Sequence, residues 1–155
     1  MRRGLAVLAV SAVAVAGASA AEAAVSKGSF AGKTSAGDPI GFRVDGKSRV
    51  YSFYFEGVTL KCSDGDSFDT PVGSDRIQSP KSVRFTISKD RRFGFTARDK
   101  QAGNGHDVSG RFSSSGNRTS GTLSIFARFD EQNHADPNGS VSCSSGKLKF
   151  SVKRR

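Results

Sequence analysis

The sequence predicts an all-β domain: a single antiparallel meander of about eight or nine strands that forms a barrel-like sheet with one disulfide. Three observations support this fold class. Apolar residues recur with a period of two from residue 28 onward. Short glycine-containing turns separate the alternating segments. The chain also has two cysteines, Cys62 and Cys143. A two-sheet β-sandwich is the alternative, because alternation alone does not distinguish the two architectures.

The first residues have the pattern of a secretory signal peptide. Two arginines precede an uncharged apolar run over residues 5–16, and small residues follow. We predict a signal peptide over residues 1–20, cleaved after Ala20 or alternatively after Ala23. The apolar run is shorter than the roughly 20 residues that a membrane span needs. The mature chain is therefore expected to be secreted, extracellular or associated with the cell surface, without a transmembrane segment.

Residues 28–155 form the predicted β domain. Alternation is clearest in VRFTIS at 83–88 and in RFGFTAR at 92–98. Asp45-Gly46 and Ser115-Gly116-Asn117 are typical hairpin turns between such segments. The same period-two pattern occurs in four further segments, at 40–44, 108–112, 123–129 and 148–152.

The stretch VYSFYFEGVTLKC at 50–62 predicts a strand whose inward face changes partway along. Three aromatic residues share one parity and three later residues share the other: Tyr51, Phe53 and Phe55, then Val58, Leu60 and Cys62. A bulge or bend at Gly57 accounts for the change. It would turn Cys62 toward the core.

Two cysteines in an exported chain predict one disulfide, Cys62–Cys143. A metal site is not supported, because the chain has no C-x-x-C and only two histidines, without ligand spacing. Closing a loop of this length restricts the unfolded chain by roughly 4 kcal/mol.

Three stretches are predicted as loops, at 63–80, 99–106 and 130–140. The first is long enough to be a binding loop. It contains Asp64, Asp66 and Asp69, which are candidates for a weak calcium site, although their spacing is not that of an EF-hand. We predict no cofactor.

Catalysis receives little support from the sequence. His106 and His134 are the only candidates for a general base near neutral pH, and both fall in predicted loops. No G-x-S-x-G motif accompanies them. We predict no catalytic residues. The alternatives are a small secreted hydrolase that uses one of these histidines, and a protease inhibitor that presents the 63–80 loop.

Positive charge is the clearest functional signal. The formal net charge is +10, which favours anionic partners. We expect the loops and a basic face to bind an anionic extracellular polymer or a protein, with the tail 153–155 extending the basic face. Without tryptophan, and with most aromatic residues assigned to the core, no specific nucleic-acid binding is expected. The predicted members of the face are Arg84, Arg92, Arg98, Arg111, Lys147 and Lys149.

Four motifs resemble those of small secreted β domains from actinobacteria. They are GSFAGKT at 28–34, GRFS at 110–113, SGTL at 120–123 and CSSGKLKF at 143–150. The resemblance implies export and a disulfide-bonded β fold, and it implies no activity. The expected protein is therefore a secreted, non-enzymatic, monomeric β domain.

Overall fold

The structure, a computed structural model, describes residues 24–75, 77–132 and 134–155. The predicted signal peptide and both predicted cleavage sites lie outside these residues. Strands contain 59% of the described residues, and helix contains 2%. The predicted all-β class is confirmed.

Eleven strands follow one another along the described residues, with one short 3-10 helix at Gly73–Asp75. They are β1 (Gly28–Thr34), β2 (Pro39–Val44), β3 (Arg49–Phe55), β4 (Thr59–Cys62), β5 (Ser67–Asp69), β6 (Ile77–Gln78), β7 (Arg84–Thr86), β8 (Arg92–Asp99), β9 (Asn104–Phe112), β10 (Arg118–Phe129) and β11 (Val141–Arg154).

Eight strands form the main sheet in the order β6-β3-β2-β1-β11-β10-β9-β8. Outside this order, β4 pairs with β11 and β5, and β7 pairs with β3. Strands β1 to β3 and β8 to β11 are two antiparallel meanders, joined where β1 pairs with β11. The sheet curls into a half-barrel. Its two margins approach each other where the rings of Phe85 and Phe95 stack with centroids 3.7 Å apart. The barrel-like prediction is thus confirmed as a half-barrel, and the two-sheet sandwich is not adopted.

Phenylalanine rings fill the inside of the curled sheet. Phe42 lies at their centre, with its ring centroid 5.2 Å from Phe30, 5.4 Å from Phe93 and 5.9 Å from Phe112. Glycine makes room for this packing: a Cβ on Gly110 would lie 2.6 Å from the ring of Phe93. Burial of several such rings supplies most of the driving force for folding.

The inward face of β3 differs from the prediction. Val50, Phe53 and Phe55 are buried, whereas Tyr51 is half-exposed. The cause is a bulge: Ser52 has a φ of 48°, and the register with β2 shifts at this point. Assigning Tyr51 to the inward face was therefore wrong.

The predicted bend at Gly57 is confirmed. Gly57 has a φ of 67°, and its N–H donates to the carbonyl of Thr70 at 3.2 Å. Val58 and Leu60 are buried beyond the bend. This change of direction places Cys62 beside β11.

Two of the predicted loops contain strands. The 63–80 stretch contains β5 and β6, and β5 forms a hairpin with β4. The loop predicted at 99–106 is shorter in the structure, because β8 ends at Asp99 and β9 begins at Asn104. His106 is thus a strand residue, so its assignment to a loop was wrong.

Candidate functional site

The two cysteines face each other across β4 and β11. Cys62 is the register partner of Cys143, their Cα atoms are 3.9 Å apart, and the sulfurs are bonded. Cys143 is 2% exposed. The predicted disulfide is confirmed, and it ties together positions 81 residues apart in the sequence.

The three aspartates of the predicted calcium site do not converge. Asp64 Oδ1 accepts the N–H of Asp66 at 3.1 Å, and Asp69 Oδ1 accepts the hydroxyl of Thr59 at 2.6 Å. Within the part of the chain that the structure describes, no group of three or more His, Cys, Asp or Glu side chains could hold a metal ion. The carboxylate of Asp64 closes a turn, and that of Asp69 joins the two strands of the β4–β5 hairpin.

A pocket of about 240 Å³ lies beside the disulfide. Its walls combine the bridge, two carboxylates and the rings of Phe68 and Phe129, whose centroids are 5.4 Å apart. We refer to this region as the disulfide end. It is lined by Cys62, Asp64, Asp66, Ser67, Phe68, Phe129, Val141 and Cys143.

The two histidines occupy unrelated environments. The ring of His106 meets Phe55 at 5.2 Å, Phe95 at 5.9 Å and Phe53 at 6.5 Å. Burial in this aromatic cage lowers the pKa of His106, and the positive charge of Arg98 lowers it further. The side chain of His134 is 78% exposed, and its Nδ1 lies 3.3 Å from Asp130. Among the described residues, the ring of His106 thus contacts phenylalanines, and that of His134 contacts the carboxylate of Asp130.

We define five of the exposed cations on the outer surface of β9, β10 and β11 as the basic face. Arg128, a further exposed cation on β10, pairs with Ser142 beside Cys143 and is not included. All five side chains are exposed. Serine and threonine stand opposite several of them, because Ser120 pairs with Arg111 and Thr122 pairs with Lys149. The members of the basic face are Arg111, Arg118, Lys147, Lys149 and Lys153.

Two predicted members of the basic face, Arg92 and Arg98, lie on the neighbouring strand β8 and are paired with aspartates. Arg92 Nε lies 2.9 Å from Asp90, and Arg98 Nη2 lies 2.8 Å from Asp107. The guanidinium of Arg98 also lies 4.5 Å from the centroid of the Phe126 ring. These two arginines border the basic face with part of their charge neutralised.

The carboxyl of Asp107 is bound on both sides. The hydroxyl of Thr96 donates to it at 2.7 Å and holds its pKa below the ordinary value, and Arg98 lowers that pKa further. Asp107 therefore stays ionised beside Arg98 at neutral pH.

Arg84 does not join the basic face. It lies on β7, across β1, β2 and β3 from β11. Its guanidinium is 4.5 Å from the centroid of the Tyr51 ring, and its Nε is 3.8 Å from Asp45. Arg84, a predicted member of the basic face, therefore lies on a different part of the sheet from Lys147 and Lys149.

One feature of the site was missed at the sequence level. Arg118 pairs in register with Lys153, and beside them a cleft of about 420 Å³ opens where β10 begins and β11 ends. We call it the terminal cleft. Its five lining residues are Asn117, Arg118, Lys153, Arg154 and Arg155.

Comparison with known proteins adds no constraint on this site. No protein-family model, curated protein or solved structure matches the chain. Across residues 24–75, 77–132 and 134–155, no helix has the length and apolar character needed to cross a membrane.

Proposed function

We propose that this chain is a secreted, non-enzymatic β domain that binds an anionic extracellular polymer through its basic face. The observation that carries the proposal is the gathering of five exposed cations on three adjacent strands. The acid nearest to them on β9, Asp107, is already bonded to Arg98. The face thus presents a surplus of positive charge to solvent.

The spacing of these cations suits a linear polyanion. Adjacent strands lie about 4.8 Å apart, and alternate residues of one strand lie about 6.6 Å apart. Lys147 and Lys149 are alternate residues of β11. Such distances are shorter than the Debye length of about 8 Å at physiological ionic strength, so the potentials of neighbouring cations add. A bound polyanion would release its counterions, and the affinity would fall with salt.

Local stability does not explain the basic face. Like charges on neighbouring positions of a sheet repel one another and destabilise the folded state slightly. Exposed ion pairs contribute little stability in return. A function in binding accounts for keeping these charges together.

Secretion is supported by the disulfide and by the signal-peptide pattern of residues 1–20. Disulfides persist in oxidising compartments outside the cytoplasm. Acidic wall polymers and polysaccharides are the abundant polyanions there, so the proposed partner and the proposed location agree.

The test uses two variants with the same net charge. Lys147→Glu/Lys149→Glu reverses two charges on the basic face, whereas Lys47→Glu/Lys81→Glu reverses two exposed charges elsewhere. The mature protein is passed over immobilised polyphosphate and over an immobilised carboxylated polysaccharide, and the eluting salt concentration is recorded. We expect the first variant to elute at much lower salt than the second. Equal shifts would show that only net charge matters and would refute the proposal.

A further inference from the structure

The terminal cleft is positioned by backbone hydrogen bonds on both sides of β11. The N–H of Arg154 donates to the carbonyl of Asn117 at 2.9 Å, and the N–H of Arg155 donates to the carbonyl of Ser29 at 2.9 Å. Arg118 is held opposite Lys153 by the β10–β11 ladder. The side chains of the cleft therefore project from a paired sheet rather than from a free tail.

The side chain of Asn117 is oriented by its neighbours. Its Oδ1 accepts the hydroxyl of Ser115 at 2.6 Å and that of Ser113 at 3.5 Å. With the oxygen used in this way, the amide nitrogen keeps two hydrogens to donate. Asn117 lines the cleft, so it adds a neutral donor to the cations there.

All five lining side chains are hydrogen-bond donors. The cleft has three guanidinium groups, one ammonium group and one amide, and none of the lining side chains is a carboxylate. A carboxylate ligand has a single charge and two oxygens, which one arginine can satisfy. A phosphate group has more acceptor oxygens and up to two negative charges, and it matches several arginines at once.

We infer that the terminal cleft is a phosphate-binding site. Arg118 and Lys153 belong both to the cleft and to the basic face, so a polymer lying on the face can place a terminal phosphate group, which has up to two negative charges, in the cleft. If the basic face binds a polymer, as proposed above, the cleft restricts that polymer to polyanions that contain phosphate. As a statement about the cleft, the inference can be tested with inorganic phosphate alone.

The experiment is a calorimetric titration of the mature protein with inorganic phosphate at constant ionic strength. We expect saturable binding at one site. Arg118→Gln/Arg154→Gln should weaken it about tenfold or more, because charge-assisted bonds to the anion are lost. Lys147→Gln/Lys149→Gln has the same net charge and lies outside the cleft, and it should change the affinity less than about twofold. Thermal unfolding of each variant verifies that it is folded.

Asn117→Ala provides a second, milder test. It removes the amide donor without changing charge, so it should weaken phosphate binding while leaving retention on the carboxylated polysaccharide column unchanged. The inference is overturned if phosphate does not bind saturably, if the two double variants lose affinity equally, or if acetate at matched ionic strength binds as tightly.

The two proposals fail in different ways. Saturable phosphate binding without retention on either immobilised polymer would refute the proposed function and leave the cleft assignment intact. Retention that depends on Lys147 and Lys149, without saturable phosphate binding, would refute the cleft assignment and leave the proposed function intact.

Discussion

The two ends of β11 differ in charge and in construction. Near Val141 the strand is bonded through Cys143 to β4, and Asp64 and Asp66 line the adjacent pocket. Near Arg154 the strand is held by backbone pairing alone, and arginine and lysine line the cleft. One end is acidic and covalently closed, and the other is cationic and open.

The comparison distinguishes charged side chains that take part in local bonds from those with a proposed role in binding. At the disulfide end, Asp64 closes a turn and Asp69 joins β5 to β4, so these carboxylates take part in local bonds. The cations of the basic face lie exposed on strands that backbone pairing already holds together. The disulfide end therefore contributes to stability, and the basic face and terminal cleft are the proposed binding surfaces.

The largest expected effect is the loss of the disulfide. Cys62→Ser/Cys143→Ser should lower the free energy of unfolding by about 4.5 kcal/mol, because the unfolded chain regains the entropy of a loop closed over 81 positions. Urea unfolding of the oxidised protein and of the double variant measures this change. While it is folded, the double variant should elute from the polyanion columns at the same salt concentration as the wild type. A shift in elution would mean that the two ends are not separable.

A smaller effect is expected for one buried hydrogen bond near the disulfide end. Thr70 Oγ1 accepts the N–H of Val58 at 2.8 Å, and Thr70 is 3% exposed. Thr70→Val keeps the shape but leaves this N–H without its partner, which should destabilise the fold by about 2 kcal/mol. Thr59→Val is the matched control, because the Thr59 bond to Asp69 is exposed. If both variants lost the same free energy of unfolding, the buried Thr70 bond would not have the stabilising role assigned to it.

The His106 cage predicts a pH dependence of stability. Burial among phenylalanine rings lowers the pKa of folded His106, so below about pH 6.5 the unfolded chain takes up the proton first. The free energy of unfolding should be greatest above this range and should fall as pH drops toward the lower, folded pKa. His106→Phe should flatten the decline between pH 7.5 and 5 in urea unfolding, whereas His134→Gln should retain it. An unchanged decline in His106→Phe would refute this cause.

The smallest expected effect is a gain of binding. Asp107→Asn removes the acid that pairs with Arg98, so polyanion retention should extend to slightly higher salt. Asp64→Asn changes net charge equally at the disulfide end and preserves the Oδ1 that accepts the Asp66 N–H. It should leave elution unchanged. An equal rise in both variants would argue against a localised binding face.

Sequence alternation predicted much of this fold because a half-barrel has one apolar face. Val108, Phe112, Leu123 and Ile125 are all buried as their parity indicated. The bulge at Ser52 was not predicted, because a positive φ at a serine has no signature in a hydrophobic pattern. Because of this bulge, the side chain of Tyr51 is half-exposed and does not lie in the core.

The candidate site was predicted only in part. Outward parity selected Arg111, Lys147 and Lys149, and all three are exposed in the structure, but parity did not determine that they lie on adjacent strands. The pairing of Arg118 with Lys153 depends on the β10–β11 register, which side-chain alternation does not determine between distant positions. The terminal cleft therefore emerged only from the three-dimensional structure.

The most direct test of the account is the salt dependence of polyphosphate binding. The logarithm of the binding constant is measured against the logarithm of salt concentration for the wild type, for Lys147→Glu/Lys149→Glu and for Lys47→Glu/Lys81→Glu. Loss of two contacts on the basic face should reduce the magnitude of the slope by about 2 in the first variant, and the second variant should keep the wild-type slope. Equal slopes in the two variants would contradict a binding role for the basic face.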